Sequence, residues 1–169
     1  MFLNITRPIQ ETVASPGTVV NDTSIGTSAW EDVDNCKVSD NTYTFVGTAI
    51  LFTPNRLKCT NFGFVIPDDA IILGVEFIYE RKKGDAASRD VEIKLVVNDV
   101  IVGDDKAQTT DFWGSTDEIR SRGGMFDLWG LTLTPADINS SLFGVVVRAT
   151  ASNAASHIDH IQLKIYYKD

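Results

Sequence analysis

Residues 71–97, IILGVEFIYERKKGDAASRDVEIKLVV, decide the class of fold. From Leu73 the side chains alternate. Leu73, Val75, Phe77 and Tyr79 share one parity, and Gly74, Glu76, Glu80 and Lys82 share the other. The period returns after a break, with Val91, Ile93, Leu95 and Val97 on one side and Glu92 and Lys94 on the other. Successive side chains of a strand point to opposite faces, so both runs read as long β-strands with one apolar and one wetter face. Ile78 and Val96 depart from the pattern, as they would where a neighbour covers part of the polar face. The small, polar segment from Lys83 to Ser88 reads as the surface loop of a long antiparallel pair.

Working outward, β-rich runs recur in both directions. Upstream, Tyr43 to Val46 and Thr48 to Phe52 are stopped by Pro54-Asn55, and Leu57 to Phe64 runs toward Pro67. Downstream, Asn98-Asp99 is a two-residue turn signal between Val97 and Val100. Phe112-Trp113 and Thr116 to Ser121 suggest a further strand, broken by Gly123-Gly124. Leu142 to Ala149 alternates around Phe143, Val145 and Val147, and Ile161, Leu163, Ile165 and Tyr167 mark the last strand. One segment is helical. Thr134 can cap Pro135 at the first helical position with Asp137 in the first turn, giving a short helix near 134–140. Eight or nine strands with turns every 8–12 residues and no α/β alternation predict an all-β protein. The expected architecture is an antiparallel two-sheet, jelly-roll-like sandwich. Residues 1–28, interrupted by Pro8 and Pro16-Gly17, read as an extended N-terminal arm able to reach a neighbouring subunit, and 29–169 as the sandwich domain.

Composition excludes several functions. The 169 residues carry a net charge of −8, against a surface that tracks nucleic-acid phosphates. The basic cluster Arg81-Lys82-Lys83 reads as a solvated strand end. No run approaches the ~20 apolar residues of a membrane helix, and the N-terminus lacks the pattern of a signal peptide. Cys36 and Cys59 read as free, buried thiols of a protein assembled in a cytoplasm.

The residues capable of chemistry do not assemble into a motif. Glu31 to Asn35 resembles the start of a calcium loop, but Lys37 replaces its turn glycine and Tyr43 its bidentate Glu. His157-Ile158-Asp159-His160 suggests a metal site, yet a regular strand sends His157 and Asp159 to one face and His160 to the other. Asp159 then falls on the apolar side and needs a hydrogen-bonded partner. No phosphate loop, nucleophile elbow or catalytic triad is legible. The expectation is a non-enzyme without metal or cofactor. Trp30, Trp113 and Trp129, with Phe112 and Phe126, read first as aromatics of the core and of a subunit interface and second as a sugar-stacking platform.

Several stretches carry a resemblance. They are Phe62 to Pro67, Ala70 to Glu76, Asp127 to Asn139, Phe143 to Val145 and Asp159 to Ile161. The chain from about Trp30 onward resembles a β-sandwich domain that recurs in structural proteins of tailed-bacteriophage virions. The long segment around Trp129 is the most specific part. The resemblance implies a virion component without catalytic residues. A capsid decoration protein that docks on the major capsid protein or another virion protein, as a homo-oligomer whose trimer would suit a local threefold position, is the first expectation. A head- or tail-fibre module that contacts a host glycan is the second.

Overall fold

The computed structural model describes residues 7–47, 53–151 and 154–169, and the expected run from Thr48 to Phe52 lies outside them. Ten strands form two sheets. In chain order they are β1 (Gln10–Ala14), β2 (Thr18–Asp22), β3 (Thr44–Gly47), β4 (Arg56–Thr60), β5 (Ile71–Lys83), β6 (Ser88–Val97), β7 (Val100–Val102), β8 (Glu118–Gly123), β9 (Gly144–Ala151) and β10 (Ala155–Lys168). Sheet 1 runs β1-β10-β5-β8, with β3 also paired to β10, and sheet 2 runs β2-β4-β9-β6-β7. Every pairing is antiparallel. The expected all-β, two-sheet sandwich is the observed fold.

The two long strands that decided the class are not partners. β5 pairs with β10 and β8, whereas β6 pairs with β9 and β7. The loop after Lys83 carries the chain from one sheet to the other. Each strand has one apolar face, and a hairpin in a single sheet would leave both needing a second layer. Stacked face to face, they bury Phe77, Ile93 and Leu95 completely.

The N-terminal arm is also corrected. β1 pairs with β10 over Gln10–Ala14, and β2 pairs with β4 over Thr18–Asp22. Residues 10–22 therefore supply an edge strand to each sheet. Their Thr- and Val-rich composition suits half-exposed strands, and the alternation is too short at five residues each to stand out. Residues 1–6 lie outside the described residues.

The expected helix is present as α1, Pro135–Asn139, with a reciprocal capping box between Thr134 and Asp137. Its last residue holds it down. The Asn139 side chain accepts from Ile66 N–H at 2.7 Å and donates to Ile66 C=O at 2.8 Å. The turn at Asn98-Asp99 places both residues at positive φ (51° and 69°), as a two-residue hairpin with the primed turn requires. Trp129 fixes the loop that leads into α1. Its indole N–H donates to Val75 C=O at 2.8 Å, and a Cβ on Gly123 would sit 2.6 Å from that nitrogen. Trp129 thus ties the β8–α1 loop to β5.

Candidate functional site

The three tryptophans are packed inside the chain. Trp30 and Trp113 are each 2% exposed and Trp129 is 0% exposed. Each indole N–H has an internal acceptor. Trp30 donates to Asn55 C=O at 3.0 Å and Trp113 to the Asp90 carboxylate at 2.9 Å. No indole face is open for a sugar ring to stack on. Phe112 and Phe126 are exposed (57% and 74%) but stand apart from that set.

The histidines take an arrangement that a regular strand does not predict. A register shift between Ile158 and His160 inserts Asp159 as a bulge in β10. Ile158 and Ile161 both point inward and are fully buried, so His157 and His160 share the outer face. His160 is 2.8 Å from the Ser15 hydroxyl. His157 stacks beside Phe45 and meets Tyr43 edge-on. Asp159 is fully buried and accepts from the Asn41 and Asp40 backbone N–H groups. Among the described residues no three His, Cys, Asp or Glu side chains gather as a metal site would require. Cys36 and Cys59 are free and fully buried. Burial, with Cys36 beside it, pushes the Cys59 thiol up.

Two arginines define the electrostatics of the molecule. Arg81 was expected at a solvated strand end, but it is fully buried. It has the inward parity of Val75, Phe77 and Tyr79 and faces Asp90 across the sandwich. The Asp90 carboxylate, itself fully buried, accepts from Arg81 at 2.9 Å, Arg122 at 2.7 Å, Trp113 at 2.9 Å and the Tyr79 hydroxyl at 2.8 Å. Arg81 also reaches Asp111 at 2.9 Å and Glu118 at 3.2 Å. Burial, reinforced by the Asp90 charge, drives the Tyr79 phenol far above its usual range. Every acceptor site on Asp90 is taken and enclosed. This cluster is a saturated internal brace.

Arg148 is the opposite case. A second β-bulge, between Asp90 and Glu92 in β6, turns Asp90 inward and leaves Val91 as the extra residue. Val91 joins Arg148 and Thr150 of β9, with Thr53 and Pro54 before β4, around an open pocket of about 230 Å³ on the outer face of sheet 2. The Arg148 Nε is buried without a hydrogen-bond partner. Among the described residues its guanidinium donates to nothing and stands in no ion pair. Glu92, its cross-strand neighbour, is already committed. Arg56 reaches over β9 and binds both Glu92 oxygens, at 2.7 and 2.9 Å. Burial pushes the Glu92 carboxyl up, but the Arg56 hydrogen bonds and the fields of Arg56, Arg148 and Lys94 outweigh it and hold it below its ordinary value. The pocket thus offers a directed, uncommitted guanidinium beside two threonines.

A different hollow, of about 30 Å³, lies on sheet 1 between Glu80, Ile119, His160 and Gln162. It has room for about one water molecule. The sequence reading missed Arg81, Asp90 and Arg148. Arg81 had a legible signal, because it continues the inward parity of β5. Arg148 had none, because its isolation depends on Arg56 taking Glu92 from two strands away.

No family model matches the chain, and no curated protein matches it. Solved structures with a similar course of chain include a cyclase from Fischerella sp. TAU, at 9% identity and TM-score 0.47, covering 98% of this chain and 77% of that one. The enzymatically active domain of bacteriophage CBA120 tailspike protein 4 aligns at 9% identity and TM-score 0.46, over 95% of this chain and 19% of that one. A family 35 carbohydrate binding module from Clostridium thermocellum aligns at 14% identity and TM-score 0.41, covering 92% and 97%. At these identities and TM-scores the likenesses carry no functional weight, and function is read from the residues above.

Proposed function

We propose that this chain is a non-catalytic binding module of a virion appendage, and that it takes a saccharide of the host surface on the outer face of sheet 2. One observation carries the reading, namely the open pocket whose lining combines an unpartnered guanidinium with the hydroxyls of Thr53 and Thr150. Saccharides present hydroxyl and ring oxygens at close spacing, and a fixed donor fork with small hydroxyl neighbours matches them. At about 230 Å³ the pocket is below the ~300–1,000 Å³ of pockets that enclose drug-sized molecules. That size suits one sugar unit of a longer glycan, with the rest of the chain lying along the sheet.

The virion setting comes from the sequence resemblance. Within it, a shell-docking role asks for a continuous apolar patch. Three of the exposed apolar side chains stand on separate elements: Phe112 beside Arg89 at the start of β6, Ile119 opposite Glu80, and Ile71 at the far end of β5. The polar pocket is the better-formed feature. A glycan array probed with the purified chain tests the reading, with Arg148→Ala as control. Binding to a defined subset of glycans, lost in the variant while its melting temperature is kept, is expected. Silence across the array, with co-sedimentation on purified capsids, would overturn it in favour of the decoration role.

A further inference from the structure

The charge of the two outer faces differs in a way that bears on the ligand. On sheet 1 the outward charged side chains are Lys82, Lys164 and Lys168 against Glu11, Glu76 and Glu80, which balance. On sheet 2 they are Arg56, Lys58, Arg89, Lys94 and Arg148 against Asp22, Glu92 and, from the β6–β7 turn, Asp99, which pairs with Lys58, a surplus of two positive charges. This surplus stands on a chain whose net charge is −8. The acids on that face are neutralised locally: Glu92 is held by Arg56, and Asp22 feels Arg56 and Lys58. Arg148 lies in the same cross-strand row as Glu92 and has no such partner.

Arg148 lines the pocket, and its terminal nitrogens make no hydrogen bond among the described residues, so they are what a ligand can meet. Its Nε is withdrawn from water without a partner, and a buried donor left unmade loses more than a paired one gains. The planar fork of a guanidinium is complementary to the two oxygens of a carboxylate, which it binds through two parallel hydrogen bonds. Resting on the proposed function above, we infer that the saccharide bound at this pocket is an acidic one. Its carboxylate sits on Arg148, and its hydroxyls are within reach of Thr53 and Thr150. The surrounding cations Arg56, Arg89 and Lys94 draw the acidic chain onto the sheet without each forming a defined contact.

The test uses the full chain and glycans in matched pairs, each uronate- or sialate-bearing glycan beside the same glycan with its carboxylate methyl-esterified. Esterification removes the charge and one acceptor while leaving the sugar hydroxyls in place. Acidic members should bind, with affinity falling roughly tenfold or more on esterification, the scale of one charge-assisted contact. Arg148→Ala should lose the same factor on the acidic member and nothing further on the ester. Arg148→Lys, which keeps the charge but not the fork, should fall between. Raising the salt concentration should weaken only the acidic member. Equal binding of both members of each pair would overturn the inference and leave the saccharide reading standing. No binding to either member would overturn both. Tight binding of a purified acidic virion protein, with none to glycans, would assign the guanidinium to a protein carboxylate and likewise refute the inference.

Discussion

Arg81 and Arg148 lie on the inner and outer sides, respectively, of the same sandwich and have opposite circumstances. Arg81 is sealed between the sheets with three carboxylates and a phenol around it. Arg148 faces outward with a buried Nε that meets no described partner. The same β-bulge sets both. By adding one residue between Asp90 and Glu92, it sends Asp90 inward to Arg81 and places Val91 at the pocket beside Arg148. Arg81 is enclosed with its counter-charges, and on the proposed function Arg148 is the charge left for a ligand.

The contrast makes its largest prediction at Asp90. Asp90→Ala leaves Arg81 and Arg122 buried without their central partner, and removal of one member of such a pair costs about 3–5 kcal/mol. Denaturant unfolding should show a loss on that scale. A loss under about 1 kcal/mol would mean the brace is not a unit. Trp129→Ala should cost a similar amount, about 3–5 kcal/mol, because it empties a fully buried site and removes one of the two donors to the Val75 carbonyl. Asn139→Ala strands both the N–H and the C=O of Ile66. Unmade hydrogen bonds of this kind cost about 1–3 kcal/mol, and the loss should appear as a lowered thermal midpoint.

His157 gives a smaller version of the same contrast. Its Nδ1 is buried without a partner. Burial first, and then the charge of Lys82, lower its pKa from 6.5 against the opposing pull of Asp117 and Asp85. Below pH 6.5 the unfolded chain therefore takes up the proton before the folded one does. The stability contributed by neutral His157 is complete above that value and falls as the pH drops through the window beneath it. Denaturation midpoints measured between pH 7 and pH 5 should decline in the natural chain and decline less in His157→Gln. Identical slopes would show that the imidazole charges freely in the fold. The smallest effect belongs to Arg148→Ala, within about 0.5 kcal/mol in unfolding experiments, because relief of the unmade Nε donor and loss of the field that favours ionised Glu92 have opposite signs.

What the sequence made legible follows from the range of the interactions. Alternation from Val75 to Tyr79 in β5 and from Ile161 to Ile165 in β10 is a local signal, and so is the Thr134-Pro135-Asp137 cap. Both read correctly. The pairing of β5 and β6 did not, because alternation says which side of a strand is apolar and not which strand lies beside it. Of the three register shifts among the described residues, the two at Asp159 and Val91 were also invisible. Each adds one residue at a position fixed by the partner strand, and each reversed an assignment: His157 and His160 share a face, and Val91 leaves the core face. Of the candidate site, the aromatics were named from type alone, and all three tryptophans are consumed by the interior. Arg148 could not have been chosen from 15 lysines and arginines, since what marks it is the engagement of Glu92 by Arg56.

The most direct measurement is the side-chain Nε–Hε NMR spectrum of the arginines during titration with an acidic oligosaccharide that the chain binds, with the Arg148 signal assigned by its loss in Arg148→Lys. The Arg148 resonance should move and saturate with the ligand while that of Arg81 stays fixed. Saturable binding that leaves Arg148 unmoved, or that shifts Arg81 instead, would contradict the division of labour between the two arginines.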